Sequence, residues 1–214
     1  MSNAWVQTVS GMDVDLLEPK PEQILLGDIA WSLARTARFM GHTVTELPWN
    51  VAQHSLLVES LMPENSSPHD RLVALLHDAH EAYMGDIVSP LFIAIDLTYR
   101  QRVADVNVNY SPTPSIRLKN IAHNLDLAIY AAFGLNPEAD TLLNVKRADL
   151  LALRVEHDLL MSESRREWPT LPPAPDPMPQ LRPPHLPARA MEVFLDRYSV
   201  LTDMHHGLTR LDPA

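Results

Sequence analysis

The 214-residue chain has no cysteine. Disulfides and thiolate metal sites are therefore excluded, and any bound metal must be held by histidine and carboxylate. Glycine is scarce and scattered, six residues in all, so neither a Walker loop nor a dinucleotide fingerprint can be written. Positive charge is not in excess. The formal net charge is −10, and the basic stripe of a general nucleic-acid binder is missing. An anionic substrate must then meet a local cluster of arginine, lysine and metal within an acidic protein. There is no signal peptide and no apolar run approaching about eighteen residues, which points to a soluble cytoplasmic protein with no membrane partner. What is present is an apolar content of 46%, enough for one domain over 1–214 to bury a substantial core.

Proline, by contrast, is abundant. Pro169, Pro172, Pro173, Pro175, Pro177, Pro179, Pro183, Pro184 and Pro187 crowd residues 168–187. That stretch cannot be helical throughout. Apolar residues recur within it, so it is expected to be an extended strap laid on the domain. Residues 1–20 form an N-terminal lead-in. Within it, Trp5 to Val9 and Met12 to Leu16 alternate in character around Ser10-Gly11 and predict a short hairpin.

Residues 28–161 read as a helical core. Asp28 is a candidate N-cap for a helix over Ile29 to Phe39, with Arg35 and Arg38 as favourable charges at its end. A second helix runs from Val51 to Met62, and a third starts at Pro68-His69-Asp70 and carries His77. The region from Asp96 to Ser115 is ambiguous. It begins in helical style, but Asn107 to Pro114 looks like an excursion. Ile116 to Phe133 is a strong helix, with Ile116, Ile121, Leu125, Ile129 and Ala132 on its apolar side, and Gly134-Leu135-Asn136-Pro137 closes it. Glu138 to Met161 is the last long core helix, with Leu142, Val145, Asp149, Ala152 and Leu153 on one face. A C-terminal helix occupies 188–202, with Met191, Phe194 and Leu195 inward. The expected fold is mainly all-α: one bundle of six or seven longer helices behind a short β-hairpin.

The chemistry centres on Leu75-Leu76-His77-Asp78-Ala79-His80-Glu81-Ala82-Tyr83-Met84-Gly85-Asp86. Read as one amphipathic helix, it places His77 and Asp78 on either side of a bound ion, with Glu81 one turn above His77. Gly85 stops it. A buried, hydrogen-bonded His-Asp pair without metal is the competing reading of these residues. Two further polar residues sit in apolar stripes. His54 shares a face with Leu57, Val58 and Leu61, where a lone histidine is more often a satisfied core residue. Asp149 is a carboxylate in the middle of an apolar face, and it needs a cation, an arginine or strong donors. His77-x-x-His80-Glu81 matches the order of neither zinc-protease helix motif, and His54-Ser55 is no catalytic triad.

Taken together, Val51-Ala52-Gln53-His54-Ser55, the Leu75 to Asp86 stretch and Val145-Lys146-Arg147-Ala148-Asp149 carry a resemblance. The order His, His-Asp, Asp resembles the HD-domain metal-dependent phosphohydrolases. More closely, it is similar to the branch of bacterial 5′-deoxynucleotidases and related phage and bacterial nucleotide phosphohydrolases. The likeness covers roughly Ile29 to Leu160. It implies that His54, His77, Asp78 and Asp149 hold one divalent ion at the centre of a single HD-type bundle. It implies that Glu81 acts in catalysis beside the attacking water and that Asp86 contacts substrate or water.

Arg38-Phe39 falls where the branch places a phosphate-holding arginine and a sugar-packing tryptophan. The phenylalanine departs from that pattern and puts strict 2′-deoxy selectivity in doubt. Lys146 and Arg147 either help bind phosphate or form a solvated face beside Glu138 and Asp140. The implied metal is Co²⁺, Mn²⁺, Fe²⁺, Zn²⁺ or Mg²⁺. The implied activity is release of phosphate from 5′-deoxynucleoside monophosphates, with a deoxynucleoside triphosphate phosphohydrolase as the alternative. A nucleotide-sensing module without turnover and a purely structural bundle are the non-enzyme readings. The partner is a small nucleotide, and the exposed helices and strap allow a homodimer, which similar proteins often form.

Overall fold

The computed structural model describes residues 3–103, 113–168 and 171–209. Trp5–Gln7 (β1) and Asp13–Asp15 (β2) pair antiparallel, with Val6 opposite Val14. Gly11 takes φ 86° in the turn, a left-handed conformation that glycine adopts without strain. Period-two alternation then buries Val14 completely against the helices.

Eight α-helices follow among the described residues. They are α1 (Leu26–Leu33), α2 (Val51–Ser60), α3 (Pro68–Leu75), α4 (Glu81–Met84), α5 (Ser89–Val103), α6 (Pro114–Ala132), α7 (Ala139–Leu160) and α8 (Pro187–Thr209). This is the mainly helical fold with an N-terminal hairpin that the sequence predicts. The central element is α2, which packs against α1, α3, α7 and α8. It is buried nearly all round, and of its polar side chains Gln53, His54 and Glu59 find partners inside, while the buried Ser55 hydroxyl does not. Asn50 caps its start by accepting a hydrogen bond from the Gln53 amide at 3.0 Å. No helix among the described residues is long and apolar enough to cross a membrane.

Several local expectations are corrected. The first helix is not Ile29 to Phe39, and Asp28 is not its N-cap. Asp28 lies inside the first turn of α1, where its carboxylate accepts hydrogen bonds from the Ser10 amide at 3.1 Å and hydroxyl at 2.7 Å. The hairpin turn thus takes the acceptor that a cap would have used. α1 ends at Leu33 because the next residues run beside the start of α2. There the Arg38 amide donates to the Trp49 carbonyl at 2.9 Å, and the Val51 amide donates to the Thr36 carbonyl at 3.0 Å. Arg35 serves the helix end, donating from Nη1 to the Trp31 carbonyl at 2.8 Å. Arg38 does not; it turns into the core.

The helix carrying His77 is also not continuous. α3 stops at Leu75, and the chain then winds tighter, with the Ala79 amide bonding the Leu76 carbonyl and the Glu81 amide the Asp78 carbonyl, each at 3.0 Å. His77 Nδ1 lies 2.9 Å from the Ala74 carbonyl, the group a regular helix would offer to the Asp78 amide. The side chain competes with the helix for its own backbone acceptor. Gly85, at φ 77°, does end α4 as expected.

Ile116 and Leu142, expected inward, are exposed. The buried stripe of α7 instead runs through Val145, Ala148, Ala152, Val155 and Glu156. Of the excursion expected over Asn107 to Pro114, residues 107–112 lie outside the described residues, and Pro114 opens α6. Up to Leu186 the proline-rich segment has neither helix nor strand among its described residues and is strapped down, and Pro187 opens α8. Gln53 donates to the Pro183 carbonyl at 3.2 Å and accepts from the His185 amide at 2.9 Å, while Met178 and Leu181 pack on the core. α8 runs past the expected end at 202.

Candidate metal centre

Three elements meet beside α2. α2 supplies His54, fully buried. The tight turn after α3 supplies His77 and Asp78. The middle of α7 supplies Asp149. His54 Nε2 lies 3.4 Å from both Asp78 Oδ2 and Asp149 Oδ1. His77 Nε2 lies 3.1 Å from Asp78 Oδ2 and 4.0 Å from Asp149 Oδ1. Ligand atoms held about 2.1 Å from a common ion stand about 3.0–4.2 Å apart, and these separations fit. His54, His77 and Asp149 could therefore hold a metal ion.

A second observation supports the fit. Both Nε2 atoms are buried and make no hydrogen bond, which in an ordinary core would be costly. Both Nδ1 atoms are engaged: His54 with Glu156 Oε1 at 2.7 Å, His77 with the Ala74 carbonyl at 2.9 Å. An oxygen acceptor at Nδ1 fixes the proton there and leaves the Nε2 lone pair for a cation. The Asp78 and Asp149 side chains are about one-fifth exposed, so the cluster opens to solvent on their side.

In the cluster as it stands His54 is itself the cation: burial and Arg38 oppose its charge, but Glu156, Asp149 and Asp78 raise it well above the ordinary histidine range, and a bound metal would displace the proton from Nε2. Burial opposes ionisation of Asp78, but the neighbouring His77 and His54 hold its carboxyl well below the usual range. Asp149 is likewise depressed against its burial by His54 and His77. Burial, then the carboxylates of Asp78 and Asp86, push the Glu81 carboxyl up to about 10. Asp86 is also raised, chiefly by burial. A cation placed among these carboxylates would favour their ionised forms.

The predicted residues are distributed unevenly. Arg38 is buried, with Nε donating to Glu156 Oε2 at 3.1 Å and Nη1 standing 3.9 Å from Asp78 Oδ2. Burial opposes its charge, but Glu156, Asp78, Asp86 and Glu81 outweigh that and keep it protonated. Phe39 is buried edge-on to Trp168, ring centroids 6.1 Å apart, with its backbone at φ 54°. Lys146 reaches Asp149 Oδ2 at 2.8 Å from an exposed position. Arg147 is exposed on α7.

No family model matches the chain. Among curated proteins it is 32% identical over 212 residues to "Uncharacterized protein RCAP_rcc00048" of Rhodobacter capsulatus, covering 94% of this chain and 97% of that protein. It is 29% identical over 201 residues to "Uncharacterized protein YfdR" of Escherichia coli, with the same shares covered. The chain belongs to the family of the Rhodobacter protein.

In this family member, the residue that organises the centre is one the sequence reading missed. Glu156 is fully buried on α7 and receives Trp49 Nε1 at 2.7 Å, Arg38 Nε at 3.1 Å and His54 Nδ1 at 2.7 Å. Its signal was available: an acid seven residues after Asp149, two turns along the same helix face. The partner of His80 is equally non-local. His80 Nδ1 contacts Asp126 Oδ1 of α6 at 2.9 Å, a pairing across 46 residues that no local pattern announces.

Proposed function

We propose that this protein is a metal-dependent phosphohydrolase of the HD type, acting in the cytoplasm on the 5′-phosphate of deoxynucleoside monophosphates. The observation that carries this reading is the convergence of His54, His77 and Asp149, with Asp78 beside both histidines, each histidine anchored through Nδ1 and free of hydrogen bonds at Nε2. These four residues would hold one divalent ion. Two imidazoles and two carboxylates suit Co²⁺, Mn²⁺, Fe²⁺, Zn²⁺ or Mg²⁺. Bound there, such an ion would polarise a phosphoryl oxygen and acidify a water.

The chain's own groups supply the rest. Glu81, beside Asp78, takes the proton of the attacking water as its oxygen bonds to phosphorus. The ester bond to the 5′-oxygen breaks, and that oxygen takes up the proton Glu81 received and leaves as the nucleoside hydroxyl. Arg38 is held rigidly by Glu156, and its charge faces the cluster, where it offsets negative charge on the phosphoryl oxygens. Lys146, tethered at Asp149, adds a second cation at the exposed rim. Asp86, whose charge is felt at Arg38, orients water or substrate.

The test is a screen of metal-stripped protein reloaded with each of the five ions, given dAMP and dATP, with phosphate and triphosphate resolved. Phosphate from dAMP supports the reading. Triphosphate from dATP alone moves the assignment to a deoxynucleoside triphosphate hydrolase. No release from either substrate with any ion rejects both.

A further inference from the structure

Beside the cluster the backbone winds with the opposite hand. Phe39 and Met40 each sit at φ 54° and ψ 27°, and Gly41 follows at φ 80°. Among the described residues, Phe39 and Met40 are the non-glycine residues at positive φ. Glycine takes this conformation freely, but a side chain there meets its own backbone, so both residues are strained. Such strain persists only where the surroundings over-determine it. The residue before the stretch is Arg38, which is buried and faces Asp78.

Met40 is exposed, so the grip on this stretch is on Phe39. Phe39 is buried, yet it lies outside the main apolar core. The Arg38 guanidinium carbon is 5.4 Å from its ring centroid, and the Trp168 ring meets it edge-on at 6.1 Å. Trp168 begins the proline-rich strap and is itself fixed to α7. The His157 ring packs edge-on against it at 5.0 Å, and one turn earlier on α7 Arg154 donates from Nη1 to the Pro172 carbonyl at 3.3 Å. Consecutive residues of α7 thus hold consecutive residues of the loop. Glu156 binds Arg38 directly, and His157 backs the indole that packs on Phe39. Beyond the stretch, the Val44 amide donates to the Leu160 carbonyl at 2.8 Å and ties the loop to the end of α7.

We infer that Trp168 is a positioning residue, which packs on Phe39, holds residues 39–41 in their left-handed conformation and so aims Arg38 at the cluster; this rests on the reading of Arg38 as the cation that meets the phosphoryl group. Without the indole, Phe39 and Met40 relax to ordinary backbone, the peptide after Arg38 turns, and the guanidinium leaves Glu156. The strap is then part of the scaffold of the site, although it brings no group to the substrate.

The placement of Arg38 is readable without substrate. In stripped protein labelled with ¹⁵N-arginine, the buried Nε–H that donates to Glu156 should give a slowly exchanging resonance, assigned by its loss in Arg38→Lys. Trp168→Ala should lose that protection, and Trp168→Phe, which keeps a ring at the edge of Phe39, should retain it. Met40→Gly should restore it in the Trp168→Ala background, because glycine removes strain that the indole otherwise holds down. On metal-loaded protein, kcat/KM for dAMP should fall about ten- to a hundredfold in Trp168→Ala at unchanged metal content, and recover with Met40→Gly. A protected Nε–H in Trp168→Ala overturns the inference, and if turnover falls all the same, the indole touches substrate itself. Lost protection that Met40→Gly does not restore overturns it too, since strain is then not what Trp168 opposes. Should Trp168→Ala prove unfolded by circular dichroism, Trp168→Leu carries the comparison. A wild type that turns over no nucleotide rejects the phosphohydrolase reading, while the Nε–H resonance still decides whether Trp168 places Arg38.

Discussion

Replacing Glu156 should expose how much of the centre depends on one buried carboxylate. The residue is fully buried and takes three donors: His54 and Trp49 on Oε1, Arg38 on Oε2. Glu156→Ala leaves the Arg38 guanidinium buried without its main counter-charge and removes the anchor of His54. Breaking a buried pair by deleting one partner costs about 3–5 kcal/mol. At roughly 2–4 °C per kcal/mol for a chain of this size, the melting temperature should fall by about 6–20 °C. On the proposed metal reading, losing the group that orients His54 should weaken Mn²⁺ binding by about ten- to a hundredfold.

Glu156→Gln separates the two effects. Its amide oxygen still accepts from His54 and Trp49, while its amide nitrogen faces the Arg38 donor. Stability should then fall by a smaller amount, about 1–3 kcal/mol, and metal affinity should stay closer to wild type. Differential scanning calorimetry of stripped protein and titration calorimetry with Mn²⁺ measure both. A Glu156→Ala protein with wild-type melting and wild-type affinity would refute the reasoning, because packing alone would then be holding His54 and Arg38 in place.

Other expectations are independent of that residue. On the proposed function, Glu81→Gln should keep an ion at His54, His77, Asp78 and Asp149 but lose phosphate release by about a hundredfold or more, read by a phosphate assay on metal-loaded protein. Thr141 donates to Asp70 Oδ1 at 2.7 Å, and although burial works the other way, this bond and those from Ser67 hold the Asp70 carboxyl below its ordinary value. A depressed folded-state pKa stabilises above the unfolded value of about 3.9 and is lost as pH falls through the folded value. Thr141→Val should therefore cost about 1 kcal/mol at pH 7, discounted for exposure, and the gap from wild type should close on acidification below about pH 4, measured by urea unfolding. Met40 is 64% exposed at φ 54°, where a side chain is strained. Met40→Gly should raise the melting temperature by a few degrees, since relief of about 1–2 kcal/mol exceeds the roughly 0.5–1 kcal/mol entropy cost of glycine.

The sequence by itself determined the helical architecture. Apolar spacing marked α2, α6 and α7 to within a few residues, and Gly85 and Gly134 marked two helix ends, because these signals act over one or two turns. It also singled out His54 and Asp149, since a polar group in an apolar stripe carries a desolvation cost that must be met somewhere. Where that cost is met is a long-range matter. The pairing of Glu156 with Arg38 and His54 spans more than a hundred residues, and that of His80 with Asp126 spans 46. Even the local break after Leu75 depends on His77 being held inward, where its ring takes a carbonyl from its own helix. Periodicity records which side of a helix faces the core. Only the packing of α2 against α3 and α7 decided which buried atoms meet, because those contacts form between segments that no local pattern relates.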